Sequence, residues 1–179
     1  MNDHLLDRIA GDPAIAAYLA WPGDFVVDRD REPVEPVVLP TGAHLEVIGG
    51  CGAGGSYFLV GPEGSPDRPV LYADSEGGAT LLAEDLAEAV TLIACLPYWR
   101  DAGHGHPLAD LDEELREMHP EFEADRDRTL AALGLAPVPQ EEALARLRAT
   151  AARTAPGHLP FVPDDDHLPY EPLFGDPGE

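Results

Sequence analysis

The sequence predicts an α+β fold, an antiparallel sheet covered by helices with an acidic helical extension at the C-terminal side. Three observations predict it. Between residues 35 and 73, β-branched and aromatic residues recur with period two and are cut into short runs by Gly and Pro. On either side the apolar residues recur at three and four instead. The links between the short runs are too brief to hold a crossover helix, so the strands pair antiparallel.

The first element is a helix broken once. Leu5, Leu6 and Ile9 form a short apolar face, then Asp12 and Pro13 read as an N-cap and first position that restart it, with Ile15, Tyr18 and Leu19 continuing inward. Trp21, Pro22 and Gly23 end it, and residues 28–35, rich in acid, Arg and Pro, form a solvated connection. Three or four strands come next, at 36–39, 45–48, 57–60 and 70–73, separated by turns at 40–42, 49–55 and 61–67.

After a turn at 75–78, a helix is expected over 83–99, with Leu86, Ala89, Val90, Ile93 and Pro97 on the face that covers the sheet. Pro97 would kink its last turn, and Tyr98 and Trp99 close the core. Beyond Asp101, Leu108, Leu111, Leu115 and Met118 mark one face of an acidic helix, while Asp110, Glu113 and Glu117 mark the other. A second helix opens at Pro120 with Phe122 inward and closes at Gly134, and a third spans 141–152 with Leu144 and Leu147 inward. The chain thus divides into one domain over 1–155, with its helical extension from about 102, and a Pro-rich acidic tail over 156–179. Phe161, Tyr170, Leu173 and Phe174 are apolar enough for part of that tail to lie back on the body.

Composition bounds the function. The net charge is -23, with 34 acidic residues against 11 cationic ones, all of them Arg. Such a surface repels phosphate backbones and anionic lipids, which argues against nucleic-acid and membrane partners, and it speeds capture of a basic protein. No basic and apolar leader opens the chain, so a cytoplasmic location is expected, and Cys51 and Cys95 are too few for a disulfide framework.

Several motifs invite a chemical reading, and each has a plainer one. Gly50, Gly52 and Gly55 match G-x-G-x-x-G, but residues 56–60 read as a strand rather than the helix whose amides would hold a pyrophosphate. Ser75, between Asp74 and Glu76, mimics a nucleophile elbow and motivates a small hydrolase as an alternative, although the flanking acids would oppose an oxyanion. His104 and His106 with Asp110 and Asp112, and Asp164, Asp165, Asp166 and His167, lack the spacing of a metal motif. Neither a cofactor nor a metal is expected, and the chain reads as a binding protein rather than an enzyme.

The stretch from Gly54 to Asp101, with GGSYFLVG and then RPVLYADSEGGATLLAEDLAEAVTLIACLPYWRD, resembles the SUKH superfamily. The resemblance rests on Gly54 and Gly55, on the Ser75, Glu76 and Gly77 turn, and on the aromatic pair Tyr98 and Trp99, and it covers about the middle third of the chain. It implies a curved antiparallel sheet flanked by helices. It also implies an immunity protein that neutralises a polymorphic toxin such as a nuclease, or a regulatory scaffold as in fungal relatives. The expected contacts to a basic toxin domain are sheet-face residues with Asp74 and Glu76, and the acidic ridge of Asp110, Glu113, Glu117 and Glu121. Between residues 101 and 133 ten acidic residues face three arginines, the densest acidic stretch of the chain.

Overall fold

A computed structural model describes residues 2–164, 166 and 168–175. It is an α+β fold in which a six-stranded mixed sheet is packed between helices and a layer of extended chain. The elements run α1 (Asn2–Gly11), α2 (Pro13–Ala20), β1 (Val26–Val27), β2 (Leu45–Gly50), β3 (Ser56–Val60), β4 (Val70–Ala73) and β5 (Gly78–Ala83). They continue as α3 (Leu86–Cys95), α4 (Trp99–Gly103), α5 (Leu108–Met118), α6 (Phe122–Leu133), α7 (Gln140–Ala151) and β6 (Glu171–Pro172).

The sheet order is β1-β2-β3-β4-β5-β6, antiparallel throughout except that β6 runs parallel to β5. Register shifts at Val47/Gly49 and Val70/Leu71 insert bulges, and bulges bend and twist the strands that carry them. Period two sorts the side chains cleanly. Tyr57 and Leu59 of β3 and Val70 and Tyr72 of β4 enter the main core beneath the helices. Phe58, Val60, Leu71, Ala73, Ala79 and Leu81 enter a second core on the opposite face, closed by Leu39, Val37, Ala43 and Tyr170.

Several expected elements differ. The run 36–39 is not a strand of the sheet: Val38 alone makes a bridge, exchanging 3.0 Å hydrogen bonds with Phe161. Pro33, Pro36 and Pro40 break this segment's row of amide donors, so it lies across the sheet as a cover instead of joining its ladder. Conversely, residues 78–83 form a full strand, where the sequence reads a turn and then the start of a helix. Ala and Leu favour helices on propensity, and pairing with β4 overrides it.

The next helix, α3, starts three residues later than expected. Asp85 caps it, accepting from the Glu88 amide at 2.8 Å while Glu88 reaches back to the Glu84 amide at 2.7 Å. It ends at Cys95, before Pro97, so the proline terminates the helix rather than kinking it, and Trp99 opens a separate short helix. Trp99 is fully buried and Tyr98 half-buried. Met118 is a further correction: it lies 53% exposed, while Leu111 and Leu115 alone of its expected row are buried. The break at Asp12 is a true cap, with its carboxylate accepting from the Ala14 amide at 3.0 Å and Pro13 in the first turn.

The described part of the tail returns to the body. Glu171 donates to the Gly77 carbonyl and Leu173 to the Ala79 carbonyl, both at 2.8 Å, while Phe174 sets its ring edge-on to Trp99. Among the described residues no helix is long and apolar enough to cross a membrane.

Candidate interaction surface

On α5, Asp110, Glu113 and Glu117 stand at i, i+3 and i+7, the spacing that puts them on one face, and all three are exposed. Glu121 lies in the turn before α6, also exposed. Among the described residues none of these four carboxylates meets a cation. Four other acids of the same segment are paired. Arg116 holds Asp112 and Glu123, each at 2.8 Å; Arg128 holds Asp125 at 2.7 Å; and Arg126 holds Asp127 at 2.8 Å. Every arginine of the segment is therefore spent on other acids, and the ridge is left bare.

Asp74 and Glu76 are on a separate element, the turn between β4 and β5. Asp74 shapes that turn: one carboxylate oxygen accepts from the Glu76 amide at 2.8 Å and from the Gly78 amide at 2.7 Å. Glu76 is exposed. No hydrogen bond or ion pair among the described residues links either to the α5 acids. The central strands are covered on both faces, one by the helices and the other by the chain around Val37, Leu39 and Tyr170, so that every side chain of β3 and β4 is buried, while Leu45, Glu46 and Val47 of β2 are half-buried and Val26 of β1 is 51% exposed.

The residues with candidate chemistry make structural contacts. The Ser75 hydroxyl donates to the Ala53 carbonyl at 3.1 Å, tying the β4–β5 turn to the loop between β2 and β3. Gly50, the last residue of β2, and Gly52 and Gly55 of that loop lead into a strand, not a helix. A Cβ on Gly55 would lie 2.3 Å from the Tyr72 hydroxyl, so close aromatic packing requires its absence. His104 packs edge-on to Phe174 with ring centres 5.2 Å apart, and among the described residues no three His, Cys, Asp or Glu side chains group as they would around a metal ion. Of the acidic quartet in the tail, Asp165 and His167 lie outside the described residues. Cys95 is buried and its thiol pushed up by that burial.

One feature of the surface is not legible as a motif. Between α2 and α6 lies an open cleft of about 420 Å³, lined by Ala14, Ala17, Tyr18, Trp21, His119 and Ala132 among others. The small side chains of Ala14, Ala17 and Ala132 leave the space, and Tyr18 closes the floor. The Tyr18 hydroxyl donates to the Ala94 carbonyl at 2.7 Å, and burial holds its ionisation well above the ordinary tyrosine range. Trp21, at the C-terminal end of α2, is 55% exposed beside the cleft. His119 stands at the other rim, 3.0 Å from Asp125, with its ring edge-on to Tyr18. Trp21 reads in sequence only as a helix stop. Exposure of a large aromatic is set by what packs against it, which periodicity does not carry.

Comparison with protein-family models, with curated proteins and with solved structures returns no match.

Proposed function

We propose that the chain is a non-enzymatic binding protein of SUKH-like type, an immunity protein that neutralises a basic toxin domain such as a nuclease in the cytoplasm. The observation that carries the reading is the bare ridge of Asp110, Glu113, Glu117 and Glu121, exposed together while Arg116, Arg126 and Arg128 neutralise other acids. Like charges aligned on one helix face cost stability, and they attract a cationic partner over a distance. In a chain of net charge -23 the ridge adds local direction to a field that already steers basic proteins inward and anionic ones away.

The test is binding to a basic toxin domain encoded beside the gene, measured by calorimetry against rising salt. Changing all four residues together (D110N, E113Q, E117Q, E121Q) removes rim charges worth about 0.2–1 kcal/mol each, so affinity falls between about fourfold and about a thousandfold. Equal affinity of the variant and the native chain, or binding that ignores salt, rules the ridge out as the contact.

A further inference from the structure

We propose, resting on the protein-binding reading above, that the α2–α6 cleft receives an apolar side chain from a basic segment of the partner. The bare carboxylates beside the cleft hold that segment's cations.

The cleft is close to neutral in its own right. Asp12 is spent as the cap of α2, and Asp125 is held between His119 and Arg128. Beside Arg128, which Asp125 pairs, the lining available to an occupant is mostly apolar or aromatic: the methyl groups of Ala14, Ala17 and Ala132, the Tyr18 ring, and the exposed indole of Trp21. Its volume of about 420 Å³ lies within the roughly 300–1,000 Å³ of concave sites that bury compact ligand groups. An exposed tryptophan beside a concave, mostly apolar surface is the kind of anchor that dominates protein interfaces once it is covered.

The charge beside the cleft selects the occupant. Glu117 and Glu121 each lie two residues from His119 on the chain, so their Cα atoms are within about 7 Å of that of His119. The bare carboxylates thus lie within about a turn of the His119 rim, close enough on the chain for a segment seated in the cleft to reach them. A second copy of this chain would bring its own charge of -23 against the ridge, and an anionic membrane is repelled on the same ground. A segment with alternating cationic and apolar faces satisfies both surfaces at once.

The test uses two synthetic peptides of equal length and charge, one a Leu–Lys amphipathic helix and the other with Ser in place of Leu. Backbone amide shifts and tryptophan fluorescence are followed on the full chain. Trp99 is fully buried, so a change in emission on binding reports Trp21. The Leu–Lys peptide is expected to shift the amides of Ala14, Ala17, Thr129 and Ala132 and to move Trp21 emission to shorter wavelength. The Ser–Lys peptide shifts α5 amides alone. Filling the cleft with A17Q and A132Q, both exposed helix positions that tolerate Gln, weakens the Leu–Lys peptide at least fivefold and leaves the Ser–Lys peptide unchanged.

If the Leu–Lys peptide moves α5 amides but leaves the cleft unmoved, or if A17Q/A132Q binds it as the native chain does, the cleft proposal is overturned and the charge-based reading stands. If neither peptide moves α5 amides at low salt, both fall together.

Discussion

Beside the sheet, Arg68 is 3% exposed and its guanidinium is held by Glu46 and by the Leu59 carbonyl; on α5, Glu113 and Glu117 face water with no cation beside them among the described residues. The same division runs through the aromatics. Phe25, Tyr57, Tyr72, Trp99 and Phe174 form a continuous series of rings 4.9–6.2 Å apart through the main core, with Arg100 stacked over Tyr72 and Trp99, while Trp21 is left half in solvent. In the first region these charges and rings are buried against one another, although Arg68 Nε and Trp99 Nε1 find no hydrogen-bond partner among the described residues; in the second, acids and an aromatic are left open. The sealed region is where stability resides, and the open region is where a partner could gain energy by covering what the fold has not covered.

Removing the centre of the ring series should have the largest effect. Trp99→Ala leaves a cavity among Tyr72, Phe174 and Arg100 and is expected to cost about 3–5 kcal/mol in denaturant-induced unfolding. A cost below about 1 kcal/mol, the ordinary effect of a point substitution, would mean that the two regions do not differ in the way described.

Alkali sharpens the contrast next. Burial raises the ionisation of Tyr18, Tyr57 and Tyr72 above the ordinary 10.0, so all three are held neutral in the fold. A raised folded value stabilises below 10.0 and is lost above it, because the unfolded tyrosines ionise there and the folded ones do not. Stability should fall by about 1.4 kcal/mol for each such tyrosine per pH unit above that value. Tyrosinate absorbance from these residues should then rise only together with unfolding; its appearance in the folded chain would contradict the sealed core.

The smallest effect is expected on the ridge. The variant D110N, E113Q, E117Q and E121Q should change stability by no more than about 0.5 kcal/mol per site, since it removes repulsion and no ion pair, while Asp110 and Glu121 give up a favourable charge at the start of a helix. A loss of several kcal/mol in thermal unfolding would show that these acids hold the fold together and are not a free surface.

Much of this was legible from local rules. The broken N-terminal helix, capped by Asp12 with Pro13 behind it, needed only residue types and spacing, as did the stop at Gly134, whose φ of +73° suits glycine. Three strands with alternating apolar residues were readable for the same reason. The strand at residues 78–83 was not, because GATLLA has no local β preference and owes its conformation to β4 beside it. The D-x-x-E pair of Asp85 and Glu88 was the available signal that the helix starts after it. At the candidate surface, the acidic face of α5 came directly from helical period, but the cleft did not: Ala14 and Ala132 are 118 positions apart and meet only across two packed helices.

By itself, the sequence determined the sign and density of charge, the helix faces and the caps, because these depend on residue type and on spacings of a few positions. The tertiary structure alone decided which acids keep a cation and which do not, that both faces of the central strands are covered, and that Trp21 overlooks a cleft. Those outcomes depend on side chains brought together from distant parts of the chain, and long-range packing, unlike a helical period, leaves no local pattern to read.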